Sequence, residues 1–197
     1  MIQPILKIFD APVIDKNEVL RYARSSLKDE LSVKLVNEVI GLAGDSFCYS
    51  VCYTELPFFS DGGTCDFSLF KVDSKNLSRC LDGSSKVLVF AATVGVGIDR
   101  LIAKYSRISP SKALMLDALG AERIEALCDV FCREYAEEKN VTLTPRFSAG
   151  YGDCPLMTQR HIFDILNCHK SIGLTLNDSM LMSPTKSVTA FVGIKEK

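Results

Sequence analysis

Three stretches of the sequence predict an α+β fold, a twisted and mainly antiparallel sheet flanked by helices. Phe47 to Leu56 alternates side chains between two unlike faces, as a strand does. Lys86 to Thr93 (KVLVFAAT) is an unbroken apolar run, the pattern of a central strand covered on both sides. From Ser109 to about Glu138, apolar residues recur at helical spacing through Leu114, Leu119, Ile124, Leu127, Val130 and Phe131.

The remaining elements follow in chain order. Asn17 to Arg24 and Asp29 to Leu42 read as helices, the second with Val33, Val36, Val39 and Ile40 as its stripe. In Phe47 to Leu56, Phe47, Tyr49, Val51 and Tyr53 share one face, and Cys48, Ser50, Cys52 and Thr54 the other. Asp61-Gly62-Gly63-Thr64 is a turn signal, after which Asp66 to Val72 reads as a second strand, antiparallel to the first. Asp73 to Leu81 is a short helix capped by Asp73 or Ser74. Past the apolar strand, Gly95-Val96-Gly97 turns into a helix over Ile98 to Tyr105. Pro110 suits a helix start because its missing N–H would have no partner there. Gly120 marks either a junction of two helices or a close approach within one. Thr144 to Pro155 (TPRFSAGYGDCP) breaks all periodicity, and Leu156 to Leu166 resumes as a helix. Ile172 to Leu176 and Val188 to Ile194 read as strands, with Met180 to Met182 as the start of another. No linker or repeat divides the chain, so residues 1–197 are expected to form a single domain.

Composition narrows the function. A 47% hydrophobic, 24% charged chain of 197 residues is of globular type, not disordered or coiled-coil. A net charge of −1 offers no basic face, so phosphate-driven nucleic-acid binding is not expected. Val87 to Ile98, the longest apolar stretch, falls short of the ~20 residues that span a bilayer. The N-terminal MIQPILKIFDAP lacks the basic and apolar regions of a signal peptide. A cytoplasmic chain without membrane contact is the expectation. The eight cysteines then read as reduced, small hydrophobes. Cys128 and Cys132 would share a helical face, but His161 and His169 are the only imidazoles for a zinc site, and none is predicted.

Two motifs could carry chemistry. Thr93 to Arg100 (TVGVGIDR) has only part of a dinucleotide fingerprint and no phosphate-cradling Gly-Lys-Ser/Thr, so it reads as a tight strand-to-helix turn. Arg146 to Tyr151 (RFSAGY) is richer. It sets a guanidinium suited to carboxylates beside a glycine and two aromatic rings, which mildly favours a zwitterionic or aromatic small ligand. His161, Lys186, Met115, Met180 and Met182 read as structural or solvated residues.

Arg146-x-x-x-Gly150-Tyr151, with Cys154-Pro155 and a helix after it, resembles the S-adenosylmethionine loop of the activation domain of cobalamin-dependent methionine synthase. Three further stretches match in order: Phe90 to Gly97, the helix Ser111 to Tyr135, and Leu181-Met-Ser-Pro-x-x-Ser187-Val188. Together they span roughly residues 66–194. The resemblance implies a free-standing activation domain. Such a domain holds S-adenosylmethionine over the corrin of a partner while an electron, typically from a flavodoxin, permits remethylation of oxidised cobalamin. It further implies that Arg146 binds the methionine carboxylate and that backbone near Ser148 and Gly150 lines the ligand. Tyr151 would lie by the sulfonium or the corrin, and Glu125, or alternatively Glu122, would take the amino group. The family's N-terminal aspartate has no identified counterpart before Asp66, and Gly152 stands where the family carries proline. No Asp-x-His-x-x-Gly motif is present, so cobalamin would be carried by the partner. That partner would be a shorter methionine synthase or another corrinoid methyltransferase. The chain is expected to be one component of a methyltransferase system, or a ligand-free interaction module.

Overall fold

The structure is a computed structural model that describes residues 3–196. Its first half contains β1 (Ile5–Phe9), α1 (Lys16–Tyr22), α2 (Glu30–Ala43), β2 (Tyr49–Pro57), β3 (Phe59–Ser60), β4 (Thr64–Asp66), β5 (Lys71–Asp73) and α3 (Lys75–Cys80). There follow β6 (Lys86–Thr93), α4 (Gly97–Ile108), α5 (Pro110–Lys139) and β7 (Val141–Leu143). The chain ends with α6 (Thr158–Leu166), α7 (Cys168–Ile172), β8 (Thr175–Leu176), β9 (Met182–Ser183) and β10 (Ser187–Glu196).

The apolar run becomes the centre of the molecule. β6 lies third in a five-stranded sheet of order β1-β2-β6-β10-β7, and every pairing in it is antiparallel. Alternation along β6 then feeds two cores. Leu88, Phe90 and Ala92 join one, with side chains from α1, α2, α4 and α5; Val87, Val89 and Ala91 join the other, with α3, α6, α7 and the small sheet. β2 is likewise covered on both sides: Tyr49, Val51 and Tyr53 enter the first core, Cys52 and Leu56 the second. The α+β architecture thus follows from two strands with no face left for water.

The first core is organised around α5. Phe131 on this helix meets the rings of Phe9, Tyr53, Phe90 and Tyr135 at centroid distances of 5.0–6.2 Å. Gly120 does not divide α5. A side chain there would meet Lys186 Cγ at 3.0 Å and Ile98 at 3.3 Å, so the glycine admits the segment before β10 and helix α4 against one continuous helix.

Several sequence expectations need correction. Asp66 to Val72 is not one strand paired with β2. It is the hairpin between β4 and β5 of a separate three-stranded sheet, because Phe67 and Phe70 turn inward and stack at 4.8 Å. Ile172 to Leu176 is also broken: α7 runs to Ile172, Gly173 follows with φ +67, and only Thr175 and Leu176 are extended. The edge strands β1 and β7 carry no clear strand pattern in the sequence. The short β3 and α7 also have no counterpart in the sequence reading, and Met180, with φ +62, stands outside the strand expected from Met180, which is only Met182–Ser183. Asp61 closes its turn by accepting from the N–H groups of Gly63 and Thr64 at 3.0 and 2.8 Å. Ser74, not Asp73, caps α3 through Leu77 N–H at 3.0 Å.

Candidate functional site

The aperiodic stretch 144–157 leaves edge strand β7, meets β10 at Phe147 and enters α6, and its buried Phe147 and Cys154 belong to the second core. Phe147 anchors it by a two-way backbone bridge to Phe191 of β10, at 2.9 and 2.8 Å. Beyond, Tyr151 N–H donates to Ser148 carbonyl and Gly150 N–H to Cys154 carbonyl, at 3.2 and 3.1 Å, which closes a tight loop. Asp153 docks that loop onto α3. Its carboxylate accepts from the Ser74 hydroxyl (2.5 Å) and from the N–H groups of Lys75 (2.9 Å) and Asn76 (3.1 Å). The helix N-terminus favours this negative charge, and the Ser74 hydroxyl first, with the two amides, holds the Asp153 carboxyl below its ordinary 3.8. Gly152 has φ +58, and a side chain there would lie 2.3 Å from the Asn76 amide nitrogen. Glycine at the position after Gly150-Tyr151 therefore has a local cause: the loop presses directly on α3.

Docked in this way, Arg146 reaches α5. Its Nη2 donates to Glu125 Oε2 at 2.7 Å and its Nη1 to Asp129. Burial opposes the guanidinium charge, but the hydrogen bond to Asp129 and the nearby Asp129 and Glu125 charges outweigh it, so Arg146 holds its proton more tightly than usual. The arginine side chain is 26% exposed, and its partners Glu125 and Asp129 are 43% and 68% exposed. This is an ion-pair cluster at the wall of an open groove of about 940 Å³. Arg133, Ser148 and Tyr151 complete the polar lining, over a floor that includes Leu143, Phe147 and Val188. Tyr151 is 73% exposed and holds its ring edge-on to Phe147 at 5.9 Å. Cys132 also lines the groove; burial raises its thiol above the ordinary 9.0 despite Arg146 nearby, so it stays protonated at neutral pH.

Of the residues singled out in the sequence, Arg146, Ser148, Tyr151 and Glu125 line one groove, and Gly150 turns the loop with φ +85 behind them. Glu122 is elsewhere engaged: it is buried and hydrogen-bonded to Arg123 and to Asp15 N–H. The sequence reading missed Asp129, which spacing could have supplied, since it lies one helical turn beyond Glu125. Lys186 pairs with Asp117 at 2.7 Å, and His161 stacks on Phe70 at 4.7 Å. Met115 and Met180 are buried. All eight cysteines are free, and no three His, Cys, Asp or Glu side chains among the described residues cluster as metal ligands. No helix of the described residues is long and apolar enough to cross a membrane.

The family profile described as vitamin B12 dependent methionine synthase, activation domain, matches residues 81–197. The fold is similar to a crystal structure of the MetH reactivation domain bound to AdoHcy, with a TM-score of 0.69 and 15% identity. That similarity covers 99% of this chain and 80% of the other. A search of curated protein sequences returns no match.

Proposed function

The chain belongs to the activation-domain family of vitamin B12-dependent methionine synthase, and we propose that its groove binds S-adenosylmethionine to support reductive remethylation of cobalamin on a separate methionine synthase. The observation that carries this reading is the cluster of Arg146, Glu125 and Asp129 on the groove wall. The groove's charged lining, Arg133, Arg146, Glu125 and Asp129, sets two cations beside two anions, which suits the carboxylate and ammonium at the amino-acid end of S-adenosylmethionine. The groove, at about 940 Å³, has room for a ligand of that size. The similar reactivation domain was crystallised with AdoHcy, which is what S-adenosylmethionine becomes on losing its methyl group.

Binding proceeds as an exchange of partners. The ligand carboxylate replaces one acid on Arg146, where the planar guanidinium fork favours it, and the displaced acid meets the ligand ammonium. Asp129 is the acid to leave, being the more exposed of the two. Glu125 stays to orient the amino end, Ser148 lines the ligand with Gly150 turning the loop behind it, and Tyr151 offers its face to the sulfonium or the corrin. Cobalamin on the partner would accept the sulfonium methyl group after one-electron reduction, releasing S-adenosylhomocysteine. The whole chain acts as one positioning unit, which fixes donor and acceptor geometry and contributes no acid–base group. A flavodoxin-type donor and a cytoplasmic setting belong to the same reading. One observation favours the rival, a ligand-free interaction module: both Arg146 partners are already supplied by the chain itself.

Methyl transfer from labelled S-adenosylmethionine to a corrinoid methionine synthase that lacks its own activation domain tests the proposal. With a one-electron reductant present and S-adenosylmethionine below saturation, transfer should require this chain and slow at least tenfold with Arg146→Ala. Transfer at the same rate without the chain would refute it.

A further inference from the structure

Arg123 is the largest fully buried side chain, and the binding chemistry above does not use it. It lies in the apolar stripe of α5, four residues from Leu119 on one side and Leu127 on the other. Its Nε and Nη2 donate to the two oxygens of Glu122 at 2.5 Å each. Nη1 donates to the Pro12 carbonyl, and Nη2 also to the Val13 carbonyl at 2.8 Å. Glu122 Oε1 in turn accepts Asp15 N–H at 3.0 Å. Burial opposes the charge on Arg123, and the hydrogen bond to Glu122 more than restores it. A buried pair of this kind is a poor source of stability compared with apolar side chains of the same volume. What apolar side chains could not do is hold three backbone groups of the 10–15 strap between β1 and α1.

That strap has a position. It walls a second cavity, of about 360 Å³, whose opposite wall is α5 at Glu125, Asp129 and Arg133. The same three residues border the groove beneath Arg146. The strap and the Arg146 loop therefore flank one pair of carboxylates from two sides. Val13 has its carbonyl pinned by Arg123 while the residue as a whole is 92% exposed beside that cavity.

We propose that Glu122 and Arg123 are a positioning pair, which holds the 10–15 strap as the second wall of the ligand groove. Ligand affinity then depends on a buried ion pair that touches no ligand. The proposal rests on the reading that the groove binds S-adenosylmethionine.

Two variants test it. Glu122→Leu/Arg123→Leu removes both charges at once and leaves no unpaired buried ion. Arg123→Lys keeps the charge but loses the fork that serves a carboxylate and two carbonyls together. Each is measured by hydrogen exchange across the chain and by calorimetric titration with S-adenosylmethionine. In the double variant, amides of α5 should stay as protected as in the parent, while the Asp15 amide exchanges at least tenfold faster. Affinity should fall tenfold or more, with Arg123→Lys between the two. A loosened strap with unchanged affinity overturns the proposal, and so does an unchanged Asp15 exchange rate. If the double variant does not fold, Arg123→Lys decides by the same pair of readings. Absence of binding by the parent chain overturns the functional reading instead, and the exchange rates then decide the clamp alone.

Discussion

Arg123 and Arg146 both meet carboxylates borne by α5, yet the two regions around them differ in what surrounds the charges. At Arg123 the side chain is 1% exposed and Glu122 5%, and every hydrogen bond is to a group fixed by the fold. At Arg146 the corresponding figures are 26% for the arginine and 43% and 68% for its acids. In the first region the pair is desolvated, so losing one partner strands the other without water. In the second, water screens the acids and can replace either of them. Burial, and not the kind of side chain, therefore separates an arginine that holds the fold from one that can exchange partners with a ligand.

The largest effect expected from this contrast lies in the buried region. Arg123→Met leaves Glu122 uncompensated and should lower unfolding stability by about 3–5 kcal/mol, measured by urea denaturation. A loss below about 1 kcal/mol would mean that Glu122 finds water, and the contrast would collapse. Next comes the glycine that lets the Arg146 loop press on α3. Gly152→Ala combines a left-handed backbone with an overlap on Asn76, and should cost about 1–2 kcal/mol by the same denaturation assay. A neutral result would show that the loop yields, and that Arg146 is not held against α5 by this contact. Smaller again, Arg146→Ala should change stability by less than about 1 kcal/mol, because its partners are solvated. A loss as large as that of Arg123→Met would make Arg146 a structural residue as well.

The smallest effect is a pH dependence at the loop's other anchor. The Asp153 carboxyl is held below its ordinary 3.8, first by Ser74 and then by the α3 amides. A lowered folded-state pKa contributes stability that is complete above 3.8 and lost as pH falls through the folded value. The difference in Tm between the parent and Asp153→Asn should be full at neutral pH and close under acid. A gap independent of pH would assign the effect to shape and not to charge.

Much of this was legible in the sequence, for reasons that residues make plain. Lys86 to Thr93 announced a strand covered on both faces because no polar residue interrupts it. RFSAGY stood out because it breaks the periodicity on either side. Glu125 is singled out only by the family resemblance, and in the structure it lies against Arg146. Asp129 was not found, since an acid on a helix face ordinarily reads as solvated. Arg123 was overlooked for the opposite reason. A charge at the phase of Leu119 and Leu127 is the signal of a buried, satisfied ion, but only the partner groups at Pro12 and Val13, over a hundred positions away, make that reading physical. β1 is not marked in the sequence because ILKIF is an edge strand whose apolar residues Ile5, Leu6 and Ile8 stay exposed on both sides, so its pattern does not alternate. β7 has three residues, too few to show a period. The β4–β5 hairpin read as one strand because its turn, Phe67 to Phe70, contains neither Gly nor Pro.

The most direct test is a calorimetric titration of the chain with S-adenosylmethionine, run beside Arg146→Ala. The account predicts saturable binding by the parent, weakened by one to two orders of magnitude in the variant, as befits a charge-assisted hydrogen-bonded pair worth about 1.5–3 kcal/mol. Equal affinity in both proteins would contradict the assignment of the ligand to Arg146, and no binding by either would put the interaction-module reading in its place.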